Sequence, residues 1–190
     1  MKKNPLCPIL GRHIDMKKTT LLLILGMLWL GACAKPVPVA PSADPLHDIK
    51  QTVRTKFPSV QQLSTNELDA WLKDTNRTQP LLLDARAPHE FAVSQLRGAR
   101  NDAQIEAALQ DYPKDQPIVN YCSVGYRSSV LSEKLMQRGF TKVYNLEGSI
   151  FQWANEGRPV YKGEQIVQQV HPYDVKWGQM LKPELRAPLP

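Results

Sequence analysis

Continuous apolar runs of strand length constrain the fold of this chain more strongly than any other feature. Residues 81–84 read Leu-Leu-Leu-Asp and residues 117–121 read Pro-Ile-Val-Asn-Tyr. Strands that are buried on both faces of a parallel sheet have this unbroken apolar character. Further strand candidates lie at residues 60–63 and 142–146. Since helical patterns alternate with these runs, the sequence predicts an α/β fold with a mostly parallel central sheet flanked by helices.

The predicted helices have recognisable starts and ends. Residues 45–57 carry apolar side chains at helical spacing, and residues 64–67 form a capping box ahead of a second apolar face. Gly139 is suited to end a helix because glycine readily adopts the left-handed conformation. The remaining predicted helices cover residues 88–93, 105–109, 128–138 and 150–155.

The segment from Tyr121 to Ser128 joins a predicted strand to a predicted helix and carries the chemistry. Cys122 stands directly after the strand, and Arg127 lies near the start of the helix. The positive helix end and the guanidinium both favour the thiolate form of the cysteine over the thiol. Gly125 allows the loop to turn with its amides facing inward, where they bind an anion. The segment therefore predicts a nucleophilic cysteine inside an anion-binding cradle.

The same segment resembles the active-site loop of rhodanese-like domains, whose pattern is Cys-x-x-Gly-x-Arg-Ser. Further likenesses to the family's Asp-x-Arg, Glu-Phe, Gly-Ala and Val-x-x-Leu-x-Gly-Gly signatures occur, in the right order, at residues 82–86, 90–91, 98–99 and 143–149. The resemblance covers roughly residues 60–160. It implies a rhodanese-like α/β fold for nearly the whole folded part.

The resemblance implies an enzyme of the thiosulfate sulfurtransferase type, with Cys122 as its catalytic residue. In this mechanism a persulfide on the cysteine carries sulfur from a small anionic donor such as thiosulfate to a thiol or cyanide acceptor. The resemblance leaves open that the acceptor is another protein. The resemblance further implies that loop amides stabilise the outer sulfur and that Arg127 helps to bind the donor. The implied substrate-binding and persulfide-binding residues are Ser123, Val124, Gly125, Tyr126 and Arg127, and the implied supporting residues are Asp84, Arg86 and Ser128.

Two other functions stay open on the sequence. The same cradle would also serve a non-catalytic envelope module that binds a partner or carries a persulfide. Related phosphatases and arsenate reductases use a Cys-x5-Arg loop around a tetrahedral oxyanion, whereas four residues separate Cys122 from Arg127 here. The shorter loop suits a single sulfur atom and favours sulfur transfer. Neither a cofactor nor a metal is expected, because His47, His89 and His171 lack partners at metal-ligand spacing.

Residues 16–33 form a leader pattern that is separate from the folded part. Two lysines precede an apolar stretch of about twelve residues, which is short for a bilayer span and typical of a signal peptide. The stretch ends in Leu-Gly-Ala-Cys at residues 30–33, which resembles the lipobox of bacterial lipoproteins. The resemblance implies cleavage before Cys33 and attachment of a lipid to its sulfur. Met16 is an alternative start of translation.

These patterns divide the chain into four expected segments. They are a signal peptide at residues 1–32, a lipidated Cys33 and proline-rich tether at 33–45, a rhodanese-like domain at 46–160 and a C-terminal extension at 161–190. Lipidation implies a bacterial cell envelope location, anchored to the membrane through the lipid on the periplasmic side. Ala34 after the cysteine favours the outer membrane.

The net charge of +6 is mainly a property of the leader. Residues 1–32 contain five of the 24 Lys and Arg residues and one of the 18 Asp and Glu residues, so the rest of the chain carries only +2. No basic run occurs outside the leader, and no nucleic-acid partner is expected. Cys7, Cys33 and Cys122 are too widely spaced for a zinc motif or a disulfide framework.

Overall fold

A computed structural model describes residues 44–189 of the chain, except residues 102–104, 106–108 and 110. The predicted signal peptide, Cys33 and most of the tether lie outside the described residues. Most of the helix predicted at 105–109 does so as well, although Ile105 and Leu109 are described and both are buried.

Four parallel strands form the central sheet, in the order β1-β4-β3-β2. Their bounds are β1 Gln61–Leu63, β2 Leu81–Asp84, β3 Ile118–Tyr121 and β4 Val143–Leu146. All four residues of β3 are buried, because this strand pairs with β2 on one side and β4 on the other. The predicted α/β fold with a parallel central sheet is therefore confirmed.

Helices follow each predicted pattern that the structure describes. Their bounds are α1 His47–Lys56, α2 Thr65–Lys73, α3 Pro88–Phe91, α4 Tyr126–Gln137, α5 Ser149–Asn155 and α6 Val175–Gly178, with a short 3₁₀ helix at Pro183–Leu185. The capping box is present, since the Ser64 hydroxyl accepts from the Glu67 amide and the Glu67 carboxylate accepts from the Ser64 amide. Helix α4 begins two residues before its predicted start, directly after Gly125.

Alternate residues of the strands face opposite sides of the sheet, as strand geometry requires. Leu82 and Val119 join one core, which also contains Phe151 of α5. Leu83 and Ile118 join the second core, which contains Leu135 of α4 together with Phe140 and Val143. Burial on both faces explains why β2 and β3 read as continuous apolar runs.

The C-terminal segment returns to the domain. Strands β5 (Val160–Lys162) and β6 (Gln165–Val167) form an antiparallel hairpin that the sequence did not predict and that straddles the domain boundary expected at residue 160. Val170 and Leu181 are buried in the core that contains Phe151. The hairpin escaped prediction because each of its strands has only three residues and Ile166, one of its apolar residues, is exposed rather than buried.

Within the part of the chain that the structure describes, no helix has the length and apolar character needed to cross a membrane.

Candidate active site

Cys122 lies at the carboxyl end of the central strand β3, where the chain turns into α4. Gly125 makes this turn with φ at +108° and is the residue before the helix. Its amide lies 3.2 Å from Cys122 Sγ and donates to it. Only 1% of Cys122 is exposed. The sulfur therefore sits in the loop with a backbone donor and the amino end of a helix directed at it.

Glycine is needed at position 125 for two reasons. A side chain strains the backbone at this φ, and a Cβ atom there would lie 3.2 Å from Asn145 Nδ2. Asn145 is held in place by two hydrogen bonds, because its amide group donates to Gln62 Oε1 and accepts from Ser128 Oγ. Loop and neighbouring strand are therefore in close contact.

Arg127 forms a bidentate ion pair with Glu90 of α3. The Nη1 atom of Arg127 lies 2.6 Å from Glu90 Oε2, and Nη2 lies 2.9 Å from Oε1. The same Nη2 donates to Ser123 Oγ at 3.0 Å. Glu90 is only 1% exposed and also accepts from the Ala87 amide at the start of its helix. The sequence did not reveal its second role as the anion that faces Arg127, although the Glu-Phe signature had marked its position.

The environment lowers the pKa of Cys122 below its ordinary value. Burial acts in the opposite direction and raises this pKa, but the Arg127 guanidinium and hydrogen bonds from Ser128 and the Gly125 amide outweigh it. Burial lowers the pKa of Arg127, but Glu90 and the nearby thiolate outweigh it and raise this pKa above its ordinary value, so Arg127 stays protonated. The site thus favours a thiolate on a buried cysteine, which is the nucleophilic form.

The beginning of α5 holds the cysteine loop from the opposite side. Ser149 Oγ accepts from the Cys122 amide at 3.1 Å and donates to the Leu146 carbonyl at 3.0 Å. The amides of Ile150 and Phe151 donate to the carbonyls of Cys122 and Ser123. These bonds use the loop carbonyls for attachment and leave the Gly125 amide directed at the sulfur. Ser149 stands where the Val-x-x-Leu-x-Gly-Gly signature has its last glycine, and the sequence did not predict this contact.

Asp84 and Arg86, predicted as supporting residues, form a buried ion pair at the end of β2. Arg86 Nη2 lies 2.6 Å from Asp84 Oδ2 and also donates to the Ser94 carbonyl. Asn101 donates to the carbonyls of both Asp84 and Arg86. The pair does not line the pocket at Cys122. It holds together the loops that follow the strand next to β3.

A pocket of about 320 Å³ opens at the cysteine loop. Cys122 and the predicted residues Ser123, Val124, Tyr126 and Arg127 form one wall. The opposite wall was not predicted and comes from both ends of the described chain, namely Ile49 and Thr52 of α1 with Tyr173 and Trp177 of the C-terminal segment. Helical spacing had identified Ile49 as a core residue, and only the three-dimensional structure brings the four together.

The histidines of the region pack against one another. The rings of His89 and His171 lie 5.1 Å apart in an edge-to-face arrangement. Burial lowers the pKa of His171, and its Nδ1 atom accepts from the Tyr173 amide. No group of three or more His, Cys, Asp and Glu side chains suited to a metal ion occurs among the described residues.

Comparisons with known proteins relate this arrangement to a family. The model of the rhodanese-like domain matches residues 64–156. A sulfurtransferase from Allochromatium vinosum is 35% identical over 107 residues, which cover 55% of this chain and 98% of that protein. A tRNA uridine(34) hydroxylase from Corynebacterium aurimucosum is 33% identical over 73 residues, but these cover only 20% of that protein and 38% of this chain.

A solved structure supports the fold alone. The thiosulfate sulfurtransferase from Pseudomonas aeruginosa superposes with a TM-score of 0.51 at 17% identity, over 72% of this chain and 26% of that one. The chain thus spans about a quarter of that protein and nearly the whole of the Allochromatium sulfurtransferase.

Proposed function

This chain belongs to the family of rhodanese-like domains, and on that premise we propose that it is a sulfurtransferase that works through a persulfide on Cys122. The name of the Allochromatium relative, which this chain matches along 98% of its length, supports sulfur transfer in general. The thiosulfate donor, the acceptor and the covalent intermediate are our proposal. One observation carries it: the Gly125 amide, at the start of α4, lies 3.2 Å from the sulfur of a cysteine whose pKa is lowered.

In the first half-reaction the Cys122 thiolate attacks the outer sulfur of thiosulfate. The sulfur–sulfur bond of the donor breaks, and sulfite leaves with the electron pair. A negatively charged persulfide remains on the cysteine. The Gly125 amide and the amino end of α4 are placed to stabilise this charge, since backbone donors at a helix start favour anions.

In the second half-reaction a thiophilic acceptor attacks the outer sulfur of the persulfide. The sulfur–sulfur bond breaks, its electron pair returns to Cys122 as thiolate, and the acceptor leaves with the sulfur. Cyanide gives thiocyanate and a thiolate gives a new persulfide. The cycle needs no cofactor, because the sulfur atom moves from donor to cysteine to acceptor without electrons from any further reactant.

The proposed function is tested by thiocyanate formation from thiosulfate and cyanide. We expect turnover by the wild-type chain and none by Cys122→Ser, because serine does not form a persulfide. Ser123→Ala, which keeps the cysteine, is the matched loop control and should retain measurable turnover. A folded, reduced wild-type sample that forms neither thiocyanate nor persulfide would instead favour the non-catalytic binding module.

We further propose that the chain is a lipoprotein of a bacterial cell envelope, anchored at Cys33 on the periplasmic side. The leader pattern and the Leu-Gly-Ala-Cys motif at residues 30–33 support this location. Labelling of expressing cells with a fatty-acid analogue should mark the wild-type protein and leave Cys33→Ser unmarked. Equal labelling of the two proteins would contradict the proposed anchor.

A further inference from the structure

The pocket at Cys122 has a wall that is unusually apolar for a site expected to bind a small inorganic anion. Ile49, Tyr173 and Trp177 face the loop, and Val124 and Tyr126 of the loop add to the apolar surface. Among the described residues that line the pocket, Arg127 is the single charged side chain. Its volume of about 320 Å³ is at the small end of the range of about 300–1,000 Å³ typical of sites for organic ligands.

The charge at the site does not favour a dianion. Both terminal nitrogens of Arg127 are engaged by Glu90, at 2.6 and 2.9 Å. With the reactive thiolate present, Cys122, Arg127 and Glu90 together carry one net negative charge. Lys56, whose Nζ donates to the Tyr126 hydroxyl beside the pocket, is exposed, so solvent and salt screen its positive charge. A doubly charged donor such as thiosulfate meets more repulsion there than a singly charged one, because charges in a partly buried site are weakly screened.

The aromatic wall is held firmly by the C-terminal segment. Val170 and Leu181, which flank the wall in sequence, are almost fully buried in the core. The Tyr173 amide donates to His171 Nδ1 at 3.0 Å, and the Trp177 amide donates to Asp174 Oδ1 at 2.8 Å.

Tyr173 lies over the guanidinium of Arg127 with a strained backbone conformation. Its φ is +68°, an uncommon value for a tyrosine, and its ring centroid lies 5.0 Å from the Cζ atom of Arg127. Strained backbone of this kind concentrates at functional sites. Because 48% of Tyr173 is exposed, packing of the hydrophobic core does not explain its position.

We infer that the sulfur donor is a singly charged organic sulfane-sulfur compound with a compact aromatic or branched apolar body that packs against Tyr173 and Trp177. This inference rests on the proposed sulfurtransferase function. With an aryl thiosulfonate the Cys122 thiolate attacks the outer sulfur, and the bond between that sulfur and the sulfonyl sulfur breaks. The aryl sulfinate leaves with the electron pair, and the persulfide remains on the cysteine.

The test compares three donors with cyanide as acceptor in the full chain. Benzenethiosulfonate and methanethiosulfonate have the same charge and reacting group and differ in their apolar body, and thiosulfate is the dianion. For the wild type we expect kcat/KM to be about tenfold higher with benzenethiosulfonate than with methanethiosulfonate, as burial of an aromatic body in an apolar pocket predicts. Thiosulfate should have the lowest kcat/KM of the three.

Variants separate the pocket from the intrinsic reactivity of the donors. Tyr173→Ala and Trp177→Leu should lower the benzenethiosulfonate to methanethiosulfonate ratio several-fold, whereas Tyr173→Phe should largely preserve it. Val175→Ala shortens a side chain of the same segment that is 75% exposed and outside the pocket, and it should leave the ratio unchanged. If Trp177→Leu fails to fold, the half-exposed Tyr173 decides the test.

The outcomes distinguish this inference from the function on which it rests. Turnover of all three donors with a ratio that Tyr173→Ala does not lower would overturn the organic donor and leave the sulfurtransferase standing. Absence of a Cys122 persulfide with every donor would overturn both. A ratio that falls in Tyr173→Ala and not in Val175→Ala supports the inference.

Discussion

At the residue scale, two opposing influences set the reactivity of Cys122. Burial of the sulfur favours the neutral thiol and raises its pKa, whereas Arg127 and the hydrogen bonds from Ser128 and Gly125 favour the thiolate and prevail. Glu90 moderates this effect, because its carboxylate shares the guanidinium with the cysteine. The thiolate therefore forms at a pH below the ordinary cysteine range, although Cys122, Arg127 and Glu90 together then carry one net negative charge.

Removal of Arg127 and removal of Glu90 should shift the pKa of Cys122 in opposite directions. Arg127→Gln removes the stabilising cation, so the pKa of Cys122 should rise and alkylation by iodoacetamide should need higher pH. Glu90→Gln frees the cation from its partner, so the pKa should fall. The measurement is the alkylation rate against pH, with the modified cysteine identified by peptide mapping.

Arg97→Gln is the control for that titration, since Arg97 pairs with Glu164 on the surface and does not line the pocket. It should leave the midpoint where the wild type has it. A midpoint in Arg127→Gln that equals that of Arg97→Gln would contradict the role assigned to Arg127.

At the scale of elements, the turn from β3 into α4 determines the geometry of the site. Four residues separate Cys122 from Arg127, and Gly125 at φ +108° directs its amide back to the sulfur. Helix α5 and the loop after β2 secure the turn from both sides. Loss of any of these contacts would move the Gly125 amide away from the Cys122 sulfur while leaving the cysteine itself in the chain.

Gly125→Ala should lower both stability and activity. The left-handed backbone costs about 1–2 kcal/mol with a Cβ present, and the Cβ would crowd Asn145 Nδ2. Gly139→Ala is the matched control, because Gly139 has φ +90° but nothing within 4 Å of the added atom. Urea unfolding should show a loss for both variants, whereas the assay should show lost turnover for Gly125→Ala alone. Equal activity of the two variants would contradict the role of the Gly125 amide.

The buried Asp84–Arg86 pair should behave as a unit. Arg86→Met leaves the Asp84 carboxylate buried without its partner and should cost about 3–5 kcal/mol of unfolding free energy. The double variant Asp84→Leu with Arg86→Met should cost less than the sum of the single changes. Urea unfolding measures this, with Arg97→Met on the exposed Arg97–Glu164 pair as a control near zero. Additive costs in the cycle would show that the two residues act independently.

At the scale of the whole molecule, the domain is completed by segments that lie outside the family match at residues 64–156. Helix α1 contributes Ile49 and Thr52 to the pocket, and the C-terminal segment contributes Tyr173 and Trp177. The same C-terminal segment buries Leu181 in the core. The fold and the pocket at Cys122 therefore depend on parts of the chain that the family pattern does not cover.

Leu181→Ala should destabilise the domain by about 2–5 kcal/mol, the usual cost of a cavity in a core, because Leu181 is 1% exposed. Ile166→Ala, at a residue that is 68% exposed, should change the unfolding free energy by less than about 0.5 kcal/mol. Urea unfolding of both variants measures this difference. A small loss for Leu181→Ala would mean that the C-terminal segment is not part of the cooperative unit.

Sequence reasoning predicts the features that depend on local patterns. The buried strands β2 and β3 follow from unbroken apolar runs, the start of α2 from its capping box, and the cysteine loop from its glycine and arginine. The hairpin β5–β6 lacks such a pattern, since each of its strands has only three residues and Ile166 is exposed. The contact of Glu90 with Arg127 joins positions 37 residues apart. Neither it nor the approach of Tyr173 to the loop has a local signature, so only the tertiary structure reveals them.

The central claim is that Cys122 carries the transferred sulfur, and the intact mass of the protein tests it most directly. The reduced chain is treated with thiosulfate and with benzenethiosulfonate, and peptide mapping separates Cys122 from the other two cysteines. We predict a gain of one sulfur atom at Cys122 that dithiothreitol removes and that Cys122→Ser lacks. A folded wild-type sample with no gain from either donor, or a gain that persists in Cys122→Ser, would contradict the claim.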